Sequence, residues 1–268
     1  MAFMEHLGEL RNRLVRAVIF TFITAIVCFF FAADIIEFLK LQLLPASAPN
    51  LYSFTPGEQL WQEIKVALIC GISLSIPVIV YELWAFISPG LHPGERSVAV
   101  PLILAAILFF ALGVGFCYLI VLPFALDFLL TYGTQHTITM LGLSHFVSFV
   151  MFFVMAFGLI FELPVLLYFL AKVGVLSSAP LRKIRRFAIV GFFIVGAILT
   201  PTPDIVNQSM MAIPMWLLYE LGILGVVHVE RQRAKAAALA KAKEARERAA
   251  EAKARGDRGV VDAGEGGS

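Results

Sequence analysis

Apolar positions in this chain gather into long runs, and polar positions collect in the short stretches between them. Residues 14–33, 61–87, 98–122, 146–172 and 205–227 are each predominantly apolar. Each approaches or exceeds the roughly 20 residues an α-helix needs to cross a bilayer core. A further run, 187–199, is purely apolar over only 13 residues. At 1.5 Å per residue it spans about 20 Å, short of the roughly 30 Å hydrocarbon core. The pattern predicts an all-α polytopic membrane protein. Six transmembrane helices occupy residues 14–228, and helices five and six form a short pair around which the bilayer thins.

The polar breaks predict where these helices start and stop. Residues 1–13 read as a polar N-terminal helix, and 34–44 as a helix lying at the interface. Pro45, Pro49 and Asn50 make a loop. In Thr55-Pro56-Gly57-Glu58, Thr55 reads as an N-cap, Pro56 as the first helical residue and Glu58 as the reciprocal half of a capping box. Pro77 predicts a kink in the second span. The stretch Phe86 to Arg96, F-I-S-P-G-L-H-P-G-E-R, holds two Pro-Gly pairs and must turn. Residues 123–145 read as a connection after the third span, and 174–186 as a basic one in which Ser178 and Pro180 suggest a helix start. Thr200 to Asp204 is a tight turn, with Thr202 as a cap and Asp204 suited to the next helix N-terminus. Residues 229–268 form a separate charged tail. Ala, Lys, Glu and Arg at 234–254 favour a solvated helix, and the Gly-rich last dozen residues read as disordered.

Composition agrees with the run pattern. Hydrophobic residues make up 60% of the chain and charged residues 15%, against about 25% charged in soluble domains. Charge then orients the spans. With six of them both ends share a side, which receives 19 Lys and Arg, while the other receives only Lys40 and Lys65. Both termini and the 86–96 hairpin are therefore expected to face the cytoplasm. Two arginines and two acids precede the first run and Arg16 lies at its start; the run is too long for a signal-peptide core, so a retained anchor is expected. Cys28, Cys70 and Cys117 lie within apolar runs without metal or redox spacing.

A few polar residues then need an explanation. Glu9 and Glu95 sit on the face that favours positive charge. Each either pairs with a nearby arginine (Arg11 or Arg13 for Glu9, Arg96 for Glu95), or the two form an anionic patch for a cationic partner. Arginine suits such a patch, because its fork matches carboxylates bidentately. Glu162, in G-L-I-F-E-L-P-V, lies deep in the fourth span, where an acid is costly and marks a functional site or a structural hydrogen bond. Pro164 nearby frees a backbone carbonyl. Gln208 is placed to hydrogen-bond across helices or to a partner segment. The five histidines lack ligand spacing, and no nucleophile has a visible base. No catalysis, metal, cofactor or nucleic-acid partner is expected. A proton-coupled small-molecule transporter using Glu162 stands as the alternative to a binding platform.

The motifs H-L-G-E-L-R-N-R-L at 6–14, P-V-I-V-Y-E-L-W-A-F-I-S-P-G-L-H-P-G-E-R at 77–96, F-E-L-P-V at 161–165 and T-P-T-P-D followed by I-V-N-Q occur in order. Together they resemble the TatC family, the multi-spanning receptor subunits of the twin-arginine protein translocase. The resemblance covers about residues 3–228 and leaves the tail out. It implies a concave, glove-like wall of six helices with both ends cytoplasmic, in the bacterial inner membrane. It implies binding of twin-arginine signal peptides of folded cargo, assembly with TatA- and TatB-type single-span proteins and with further copies of the chain, and export driven by the proton-motive force. By the same resemblance, Glu9, Arg11, Phe86 and Glu95 bind the signal peptide. Glu162 faces the concave side, and the short helix pair with Gln208 contributes to partner binding. The sequence departs from a shorter T-P-P-D pattern at Thr200 to Asp204.

Overall fold

The computed structural model describes residues 2–44, 51–87, 99–131, 140–199 and 205–264. Helix α1 (Ala2–Phe29) is followed after a two-residue turn by α2 (Ala32–Leu43) and then by α3 (Glu58–Ile87). Helix α4 (Ala99–Phe116) runs through a π-helical turn, Cys117–Val121, into α5 (Leu122–Thr131). Helices α6 (Leu143–Phe161), α7 (Leu163–Val173), α8 (Ser178–Leu199) and α9 (Ile205–Gly264) complete the chain. Among the described residues there is no strand, only a single bridge between Tyr52 and Gly142. The spans Leu7–Phe29, Glu58–Phe86, Val100–Thr131, Leu143–Val173 and Gln208–Arg248 are long and apolar enough to cross a membrane. Their outward faces carry bare apolar side chains such as Phe22, Leu74, Leu104 and Leu224, as lipid contact requires.

Helix α1 lies along α3. Gly71 makes the approach possible, because a Cβ there would stand 2.6 Å from the Ala25 backbone. Across this seam the Thr24 hydroxyl reaches Gly71 O at 3.0 Å and Ser75 Oγ at 2.8 Å, small polar residues joining helices where no water competes. The main core joins α2, α3, the π turn, α5 and α6 around the fully buried Phe146, Phe153 and Phe157. A second cluster, with Tyr219, Ile223 and Val226, locks α9 against α7 and α8.

Several boundaries depart from the sequence reading. The third span does not end at Leu122. It passes Pro123 and continues to Thr131, because the Leu122 N–H bonds to Cys117 O, five residues back. The widened turn places the proline's missing donor and its ring at a seam that tolerates both. The fourth span is two helices, broken at Glu162. Gly57 has φ +81°, so Thr55 to Glu58 is a turn closed by the Glu58 N–H on Thr55 O at 3.2 Å. Helix α3 therefore starts at Glu58, and Thr55 is not its N-cap. The helix start suggested at Ser178 and Pro180 is present, and the basic residues 182–186 lie in the first turns of α8. The last helix runs unbroken from the sixth span to Gly264, through residues 257–264 that the glycine content marks as disordered. A helix continued from a membrane span needs no new nucleus, and Ala, Arg, Lys and Glu favour propagation.

Candidate functional site

Residues 9, 13 and 16 of α1 fall at i, i+4 and i+7 and share one helix face. Helix α3 brings Glu82 against that face one turn before Phe86. Arg13 joins the two helices. Its Nε and Nη2 donate to Glu9 Oε1 at 3.0 and 2.5 Å, and its Nη1 donates to Glu82 Oε2 at 3.3 Å. Arg16 Nη1 stands 3.5 Å from Glu82 Oε1. The Glu82 side chain is 10% exposed and that of Glu9 34%, so the first is a fixed anion inside the seam and the second an accessible one at its rim. The four charges sum to zero. Chemically the cluster is a carboxylate–guanidinium network closed by the chain's own arginines. The carboxylates present planar acceptors that arginine, more than lysine, satisfies in pairs.

The residues expected at this site fare differently. Glu9 is present and bound to Arg13, its i+4 neighbour. Arg11 lies on the exposed side of α1. Phe86 is half-buried one turn beyond Glu82. Glu95 and Asp204 lie outside the described residues. Glu82 is the residue that pattern reading passes over. The signal was there: a carboxylate inside a predominantly apolar run, which is the argument that singles out Glu162.

Glu162 occupies the junction of α6 and α7, capping the first and preceding the second. Its N–H bonds to Leu159 O at 3.1 Å and its carbonyl accepts the Leu166 N–H at 2.9 Å. Pro164 has no N–H to give, so the ladder breaks here and α7 starts anew. The Glu162 Oε1 atom is buried with no hydrogen-bond partner among the described residues. Such an atom calls for a partner that the described residues do not supply. Gln208 has found one: its Nε2 donates to Phe193 O at 2.7 Å, tying α9 to α8. Near the other end of this pair, Arg185 and Glu220 are 2.7 Å apart, and the Glu230 carboxylate accepts the Ser178 N–H at 2.8 Å, closing the open start of α8.

Glu58 has a structural role wider than a capping box. One carboxylate oxygen accepts the N–H groups of Phe54 and Thr55 at 2.7 and 3.2 Å, and the other accepts the Ser144 N–H at 2.9 Å. It clamps the 51–58 segment to the start of α6. Gln62 to Ser144 and Lys65 to Ser148, at 3.1 and 2.6 Å, continue that polar seam.

With this geometry in view, comparison with known proteins is informative. Residues 5–214 match the family model of the Sec-independent protein translocase protein TatC. The Sec-independent protein translocase protein TatC of Aquifex aeolicus is 42% identical over 226 residues, covering 83% of this chain and 93% of that protein. The same protein of Desulforapulum autotrophicum is 38% identical over 225 residues, 83% of each. A crystal structure of the twin arginine translocase receptor TatC superposes with a TM-score of 0.72 at 39% identity, over 84% of this chain and 99% of the other.

Proposed function

The chain belongs to the Sec-independent protein translocase TatC family, and from that premise we propose that its carboxylate–guanidinium cluster reads the arginine pair of export signals. It is a membrane-embedded receptor component of the twin-arginine translocation system and not an enzyme. The observation that carries the site is Arg13 linking Glu9 and Glu82 across α1 and α3, near the C-terminal end of α3. Glu9 and Glu95 supply carboxylates, Glu82 fixes the end of α3 against α1, and Phe86 offers an apolar wall to the signal. Arg11, exposed beside them, orients the acidic part of the site.

In this reading six spans place both termini in the cytoplasm of a bacterium, across its inner membrane. The 19-to-2 split of Lys and Arg supports it. So does α8, in which the basic residues 182–186 precede an apolar part of 13 residues. TatA- and TatB-type single-span proteins pack on the concave side, where the Glu162 Oε1, without a partner among the described residues, accepts a donor, and against the α8–α9 pair held by Gln208. Further copies of the chain join the same complex, and the proton-motive force drives transport of the folded cargo.

The test is photocrosslinking of a twin-arginine signal to Glu9→Ala, Glu82→Ala and Glu95→Ala variants in membranes. Capture is expected to fall at least about tenfold in the Glu9 and Glu95 variants, the loss of one or more charge-assisted hydrogen bonds. Undiminished capture in both, with protein levels unchanged, overturns the assignment.

A further inference from the structure

Helices α4, α7 and α9 do not close against each other along their whole length. Between them runs a groove of about 340 Å³, walled by Leu102, Phe109, Val165, Tyr168, Leu224 and Gly225. Its floor is solid, because Leu102 and Val165 belong to a buried cluster with Ala106 and Phe169. Its mouth faces outward, where Leu224 is 63% exposed. From the level of Leu102 to that of Phe109 the groove is roughly 10 Å long at 1.5 Å per residue, most of one leaflet's hydrocarbon depth.

The charges at one end say what fills it. On α7, Lys172 comes one turn after Tyr168. On α9, His228 and Arg231 follow Leu224 at i+4 and i+7, on the same stripe. Among the described residues, the Lys172 ammonium and the Arg231 guanidinium have no hydrogen-bond or ion-pair partner. The nearest acid along α9, Glu230, is committed to Ser178. Arg233 donates to Lys172 O at 2.5 Å, so α7 and α9 are tied together just above the groove. A built apolar slot thus opens under unneutralised cations.

We infer that this groove binds an acidic phospholipid, one acyl chain against the apolar walls and the phosphate between Lys172 and Arg231. A neutral partner helix would cover the slot but leave both cations uncompensated, whereas an anionic headgroup meets both demands at once. In the cell this rests on the cytoplasmic placement of the loops proposed above, which puts the headgroup in the inner leaflet.

Native mass spectrometry of the full-length protein, in micelles doped with equal phosphatidylglycerol and phosphatidylcholine, tests it. The wild type should retain phosphatidylglycerol about tenfold over phosphatidylcholine, as two cations at the same end of the groove allow. Lys172→Gln with Arg231→Gln should bring the ratio to about one, while Lys183→Gln with Arg186→Gln, cations on α8 away from the groove, should leave it unchanged. Gly225→Leu should cut retention of both lipids. A Cβ there stands 3.5 Å from Tyr168, an ordinary contact, so the backbone accepts it while the side chain fills the slot. Equal retention of the two lipids by the wild type overturns the inference, as does a ratio indifferent to Lys172 and Arg231. Retention unaffected by Gly225→Leu does the same and assigns the groove to a partner helix. Micelles have no sides, so a negative result reports on the groove, not on the topology or on signal recognition.

Discussion

The Arg13 bridge can be weighed directly. Arg13→Ala removes two contacts of unequal worth. The link to Glu9 is an i,i+4 pair on one helix with an acid a third exposed, and such pairs contribute about 0.3–0.5 kcal/mol. The link to Glu82 joins two helices, and its carboxylate is 10% exposed. Hydrogen bonds to charged groups in such settings contribute about 1.5–3 kcal/mol. After the change Glu82 keeps only Arg16, 3.5 Å away on a side chain that is 59% exposed, so most of that loss stands. Reversible unfolding in mixed micelles, followed by circular dichroism for wild type, Arg13→Ala, Glu82→Gln and the double variant, gives the coupling. It should be about 1–2 kcal/mol, with Arg13→Ala much worse than Arg16→Ala. A coupling below about 0.5 kcal/mol, the scatter of independent sites, would falsify the claim that this cluster fixes α1 on α3.

Other expectations follow from single contacts. Gly71→Val should destabilise by at least about 1–3 kcal/mol, because its Cβ meets the Ala25 backbone and not a side chain that can move; the same unfolding assay reads it. Gln208→Ala should cost about 0.6 kcal/mol, typical of a hydrogen bond between membrane helices, and should raise disulfide-crosslinking scatter between cysteines placed on α8 and α9. Glu58→Ala should speed amide hydrogen exchange at residues 51–58 and 140–146 together, while leaving that of the α1–α3 seam unchanged; exchange confined to one of the two segments would argue against a clamp. Glu82→Gln keeps the shape of the seam but removes its anion, so it should weaken signal capture less than Glu9→Ala does.

Helix existence was legible because apolar runs of the right length have one stable form in a bilayer. Helix ends were not, and each miss has a local cause. Pro123 reads as a terminator only while i→i−4 bonding is assumed, and the π turn at Cys117–Val121 removes that assumption. Thr55-Pro56-Gly57-Glu58 fits a capping box on residue type, but Gly57 takes a left-handed conformation that a helix cannot contain. Fold-level agreement came from composition, whereas boundaries depended on single backbone angles that composition does not encode.

The site divides along a different line. Glu9 stands out because its surroundings are polar and basic, so an acid there has something to explain. Glu82 is masked by its own segment: the run around it is apolar enough to be read as a span, and the acid is absorbed into the average. What separates the acids is their partners. Glu82 is buried but meets Arg13 and Arg16 from another helix, 66 to 69 residues away in sequence. Glu162 is half-buried at a helix break, and its buried Oε1 has no hydrogen-bond partner among the described residues. A satisfied buried charge holds a fold in register, whereas an unsatisfied one leaves free energy to be gained by whatever donor arrives. By that criterion Glu82 belongs to the scaffold that holds α1 on α3, on which the proposed recognition site rests. Glu162, whose Oε1 no group of the described residues satisfies, is the acid that the proposed function assigns to a partner.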